Sequence, residues 1–366
     1  MEDGTWLARL HGELRGLLAP VFAQARSRLA AFAYVSALLA EPGDRRSCGQ
    51  LAEAAGHATP RRMQALLAGH ARDWTAALAA LRRFILAHLG DPEAIVVLDE
   101  SAELKKGTRT VGVARRHAGI TGQVENCQTV VFAAYVTARG HTLSGFRLYL
   151  PRAWCGDSTR RQRAHVPDEV EFAAKPALGT AMITGAADAD VPFAWAAAEE
   201  VCGRGSKLRE ACENRHQGYV VAVPVNFTVT LPSGRKATVA AVARLIPASA
   251  WETRWCGDGG KGHRDYAWAW AATASRWHWV LIRRSLSDPS DLAFFYCPAP
   301  AARSASLPVL IKVAGTRWPV EVGHLWRLSS GAAFSWLCSL LLIRFVLRGC
   351  PAGAGVEAGR ACPAFA

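Results

Sequence analysis

Apolar positions change rhythm twice along the chain. Over residues 1–90 they recur at helical spacing among Ala, Leu and Arg, with few β-branched residues, which predicts a helical region. From about residue 93 they gather into short runs: 93–99, 108–115, 126–137 and 143–150, linked by turns at Lys106-Gly107 and Arg139-Gly140. A helix is predicted over 176–187, then a strand ending at Glu199, then a helix over 206–215. From 218 to 305 β-rich runs return, at 219–223, 227–230, 279–282 and 292–296.

Strands, a helix, a strand and a helix resemble the chain order of an RNase H-like mixed α/β sheet. There the first and fourth strands lie side by side. Two of the predicted strands end in acids: Ala94–Leu98 runs into Asp99, and Pro192–Ala198 into Glu199. A third acid, Glu321, follows Arg317-Trp318. The fold class is therefore α/β with five parts. They are a helical domain at 1–90, an RNase H-like core with the first two acids at 91–217, and a β-rich insertion at 218–305. The core's return with the third acid at 306–330 and a tail at 331–366 complete it.

Charge narrows the partners. Lys and Arg outnumber Asp and Glu 43 to 30, a net charge of +13 over 366 residues. A positive field attracts polyanions, and counterion release drives their binding. An Arg-rich chain from a GC-rich genome would show the same balance. The ten cysteines contain no Cys-x-x-Cys pair, which speaks against a zinc framework and for thiols in a reducing cytoplasm. Met1-Glu2-Asp3-Gly4 lacks the layout of a secretory leader. The apolar stretch 332–347 falls short of the roughly 20 residues that span a bilayer and is broken by Arg344, so a buried helix and no membrane partner are expected.

Two regions could touch DNA. A short helix over 50–56 stops at Gly56, and Thr59-Pro60 opens another carrying Arg61 and Arg62. This suits a helix-turn-helix and an ordinary helical hairpin equally. Between Trp251 and Trp279 tryptophans alternate with Arg254, Lys261, Arg264 and Arg276. Such a mixture stacks bases or packs sheets, and packing is the commoner use.

Several phrases carry a family resemblance. LDESAELKKGTRTVGVARRHAGITGQVENCQTVVFAAY (98–135), LYLPRAW (148–154), VPDEVEFAAKPALGTAM (166–182), VPFAWAAAEEVCG (191–203), GYVVAVP (218–224) and RRSLSDPSDLAFFYC (283–297) resemble, in order, insertion-sequence 701-type transposases. These are DDE enzymes of the RNase H-like superfamily, and the likeness runs over about residues 30–322. It implies metal-dependent DNA strand cleavage and transfer at element ends. Asp99, Glu199 and Glu321 would be the catalytic acids and ligands of Mg²⁺ or Mn²⁺. Mg²⁺ takes hard oxygen ligands in octahedral geometry, and carboxylates provide them. The resemblance also implies phosphate-facing cations at Lys105, Lys106, Arg152, Lys175 and Arg317. The implied partners are double-stranded DNA, as terminal inverted repeats and target, and a second copy as homodimer. The implied location is the bacterial cytoplasm, at the nucleoid.

Two departures from the family pattern stand out. Glu199 stands where the family has Asp, and Cys202 where it has Tyr. After Arg317-Trp318-Pro319-Val320-Glu321 the family has a second Glu and a Lys, where this chain has Val322 and Leu328. The ending GCPAGAGVEAGRACPAFA reads as a shifted frame or as a divergent terminus. The chain is then either a working transposase or a remnant that binds DNA without cutting it.

Overall fold

A computed structural model of the chain describes residues 12–13, 15–17, 19–40, 47–68, 74–164, 166–259, 262–276, 278–298 and 305–316. Arg317, Glu321, the apolar stretch 332–347 and the tail lie outside them.

The predicted helical region contains helices Ala25–Ala40, Cys48–Ala54, Arg61–Ala68 and Trp74–Leu89. Ser47 starts the second through a capping box with Gln50, each satisfying an orphan N–H of the other's end. Tyr34, Leu38, Leu51, Met63 and Leu66 are buried, and they join the same apolar core as the sheet. Trp74–Leu89 lies against the sheet's fourth strand.

The strands are β1 (Ile95–Leu104), β2 (Ala114–Ala118), β3 (Gln123–Thr137), β4 (Gly140–Leu148), β5 (Trp195–Ala198), β6 (Gly218–Val223), β7 (Thr228–Thr230), β8 (Lys236–Thr238), β9 (Glu252–Gly259), β10 (Gly262–Ala272), β11 (His278–Ser285) and β12 (Leu292–Pro298). Ten of them form one mixed sheet in the order β2-β3-β1-β5-β6-β12-β11-β10-β9, with β4 beside β3. β1 runs antiparallel to β3 along its full length, from Ile95↔Val136 to Leu104↔Cys127. It runs parallel to β5 from Ile95↔Trp195 to Leu98↔Ala198, and β5 runs parallel to β6. Strands covered on both faces read as unbroken apolar runs, and this is why 94–98 and 193–198 stand out in the sequence.

Two details depart from the predicted layout. The run at 108–115 is only partly strand: β2 begins at Ala114. The chain turns before it, with Val113 N–H bonded to Thr110 O and Gly112 at φ +75, where a Cβ would also meet Tyr149 O at 2.9 Å. Further on, β6 lies beside β5, and β12 pairs antiparallel to β6 at Phe294↔Val223 through Tyr296↔Val221. The later strands β9–β12 thus extend the core sheet edge to edge.

Candidate active site

Asp99 sits midway along β1 and is 7% exposed. A buried carboxylate needs hydrogen bonds or charge to offset lost hydration, and Glu100 N–H donates to Asp99 Oδ1 at 2.8 Å. Because Leu98 pairs with Ala198, Asp99 and Glu199 are the next residues on two adjacent parallel strands. Glu199 is half-buried and leads into the four-residue helix Glu200–Gly203, whose Gly203 N–H bonds to Glu199 O at 2.7 Å. The close fit of that helix depends on Gly203: a Cβ there would lie 2.0 Å from Ala222 O on β6.

The Cys202 thiol reports how the acids converge. Burial pushes it up to about 12, and the negative charges of Glu100, Glu199 and Asp99 add to the shift against the opposing charge of Lys175. Glu100 is held by Lys175, whose Nζ lies 2.7 and 2.8 Å from its two carboxylate oxygens. Lys175 begins the helix Lys175–Asp188, where a cation opposes the helix dipole and the Glu100 charge offsets it.

Asp99 and Glu199 offer the hard oxygen donors that a divalent metal takes, so the two fit part of such a site. Among the described residues no group of three His, Cys, Asp or Glu side chains could hold a metal ion. The third expected ligand, Glu321, is outside them. Helix Leu307–Gly315, which leads toward it, packs on β5, β6 and β9, beside the acid-bearing strands.

A cleft of about 900 Å³ opens beside Glu199, where β6 and β12 separate beyond their short pairing. Glu200, Arg204, Arg244, Arg283, Asn226 and Ser290 line it. Glu200 pairs with Arg204 one helical turn on. Sequence reasoning missed these arginines, although Glu200 and Arg204 at i,i+4 spacing were a local signal.

The other predicted cations are spread around the core. Lys105 pairs with Glu103, and Lys106 is exposed. The Arg152 guanidinium stacks 4.0 Å from the centroid of the Phe172 ring. Arg116 and Arg160, not foreseen, stack on Tyr149 and Trp154 nearby. Arg61 and Arg62 are exposed on the Arg61–Ala68 helix, whose Met63 and Leu66 face the core. Among the tryptophans, Trp268 is fully buried against Phe295, whereas Trp255 is 53% exposed and Trp270 40%. All seven cysteines among the described residues are free thiols, and no helix among those residues is long and apolar enough to cross a membrane.

Comparison with known proteins points the same way. No curated protein matches the chain. Residues 17–242 match the family described as DDE superfamily endonuclease, a span that takes in the helices from Ala25 to Glu213, β1–β8, Asp99 and Glu199. Enzymes of this kind typically act on DNA with divalent metal. With that match over more than half its length, and with Asp99 on β1 level with Glu199 just past the end of the adjacent parallel β5, the chain belongs to the DDE superfamily endonucleases.

Proposed function

We propose that this protein is the transposase of an insertion element of the 701 type, cutting and joining DNA at the element's terminal inverted repeats. The observation that carries the reading is the register Leu98↔Ala198, which sets Asp99 in the middle of β1 beside Glu199 at the end of the parallel β5. In this reading both hold Mg²⁺ or Mn²⁺, with Glu321 as the third ligand. A metal pair bound there would supply an activated water or 3′-hydroxyl and stabilise the leaving oxygen. Asp99, buried on β1, and Glu199 would hold it. Lys105, Lys106, Arg152, Lys175 and Arg317 steer the phosphate backbone, and Arg61 and Arg62 hold duplex DNA. The protein works as a homodimer on nucleoid DNA in the cytoplasm.

A second reading, a remnant that binds DNA without cutting it, has one specific observation behind it. Glu199 replaces Asp, and the added methylene moves the carboxylate outward in chemistry where a shift near 1 Å costs on the order of 10²-fold. The test is cleavage of a labelled element-end duplex in Mg²⁺ or Mn²⁺ beside Asp99→Ala. Metal-dependent nicking that disappears in the variant supports the transposase. Binding without nicking in either metal supports the remnant.

A further inference from the structure

We infer that the β2–β3 hairpin is a rigid DNA-contacting arm, with Arg115 and His117 on the phosphate backbone and Ile120 as an apolar contact inside a groove. This rests on the reading of DNA as substrate and adds a contact site remote from the acids. The hairpin continues β3 beyond its pairing with β1: Ala114 to Ala118 pair with Cys127 to Gln123. Its turn is tight, since Thr121 and Gly122 N–H both bond to Ala118 O and Gly122 takes φ +67. At the tip Ile120 is 71% exposed, flanked by Gly119 and Gly122, and Val124 beside it is 54% exposed.

Alternation along the strands separates two faces. Arg116 and Glu125 form one cross-strand pair, and Arg116 is pinned on Tyr149, 4.5 Å from its centroid and 3.2 Å from its hydroxyl. The opposite face pairs Arg115 with Asn126 and His117 with Val124. Arg115, His117 and Val124 are exposed there, and the acid nearest on that face, Glu103 at the root opposite Gln128, is paired with Lys105. Exposed Lys106 and Arg109 follow from the adjoining loop.

The root is clamped. Asn126 Nδ2 donates to Lys105 O at 2.6 Å and Gly107 O at 3.0 Å, Gln128 Nε2 to Val111 O at 2.8 Å, and Trp154 Nε1 to Val113 O at 2.9 Å. A stiff basic ribbon ending in a lone aliphatic side chain suits a duplex. Two-stranded ribbons enter the major groove, and apolar residues contact thymine methyls or wedge between base steps. A protein partner would call for a broader apolar face and fewer cations.

The arm has a fixed reach. From Asp99 along β1 to Leu104, then along the paired hairpin to its tip, the strands cover about 30 Å at a rise of about 3.3 Å per residue. For a duplex running along these strands, at about 3.4 Å per base pair, Ile120 meets it about nine base pairs from the cleaved phosphate.

The test uses the full chain in EDTA, so binding is read without cleavage, on a labelled element-end duplex. Arg115→Ala is expected to weaken binding and lower the slope of log affinity against log salt by about one. Ile120→Ser is expected to weaken binding about fivefold or more at unchanged salt slope, with footprint protection lost about nine base pairs from the cut. Thermal melting checks that both variants fold. If the parent binds and footprints but both variants match it, the arm is overturned and the DNA-cutting reading stands. If Ile120→Ser instead turns a dimer into a monomer of unchanged DNA affinity, the arm belongs to a second copy and the inference falls. A parent that binds no duplex overturns both.

Discussion

The two acids sit on strands of very different construction. Asp99 lies on a ten-residue strand paired to β3 along its whole length and to β5 on the other side. Glu199 follows a four-residue strand of Trp and three alanines and opens a four-residue helix. The first is fixed by a long hydrogen-bonded ladder, the second by close packing of small residues such as Gly203 against Ala222. Position is therefore robust at Asp99 and sensitive at Glu199. The largest expected effect tests the robust side. Asp99→Ala should lower metal-dependent nicking by more than about 10²-fold, since even losing a partner one shell beyond a metal ligand costs 10–100-fold. It should leave duplex binding intact. Nicking that persists at the parental rate would remove Asp99 from the site.

The sensitive side gives two smaller effects. Shortening the side chain with Glu199→Asp should raise nicking by up to about 10²-fold if carboxylate position limits the reaction. An unchanged or lower rate would place the limit elsewhere. Gly203→Ala puts a methyl 2.0 Å from Ala222 O and 3.1 Å from Val221 Cβ, so the helix headed by Glu199 must shift. Overpacking of this sort costs about 1–3 kcal/mol, and nicking should fall about tenfold with the displaced carboxylate. A urea titration and a nicking assay on one preparation would read both. A variant with parental stability would show that the packing at Gly203 is loose.

How much could be read from sequence follows the same division. The runs ending in Asp99 and Glu199 were legible because strands buried on both faces carry unbroken apolar residues, and their pairing followed from the chain order. The start of β2 was not. Val111 and Val113 look like strand residues, but they are buried beside a turn that only Gly112's backbone and the Trp154–Val113 bond define. The hairpin of β9 and β10 was hidden as well. Ala267 and Ala269 on one face and Trp268 on the other are all buried, while Trp270, on the same face as Trp268, is 40% exposed, so the alternation of Trp and Ala does not mark a buried and an open face. The adjacency of Asp99 and Glu199 was legible, whereas the arginines of the cleft were not. Arg204, Arg244 and Arg283 come from separate elements and are brought to one cleft only by the fold.

The smallest expected effect concerns stability behind Glu199. Cys212, on helix Ser206–Glu213, is fully buried, and burial followed by the Glu213 charge pushes its thiol up to about 12. In the unfolded chain the thiol titrates near its ordinary value of 9.0. Below that pH both states hold the proton and the contribution to stability is complete. Above it the unfolded chain releases the proton while the folded one keeps it, so stability falls by about 1 kcal/mol per pH unit up to about 12. Other groups titrating in this range are common to parent and variant and cancel in the difference. Cys212→Ala should therefore be less stable than the parent at pH 8, through lost packing, and should close that gap between pH 9 and 11 in urea midpoints. A constant gap over that range would mean that water reaches Cys212, and that the packing behind Glu199 is as open as the cleft in front of it.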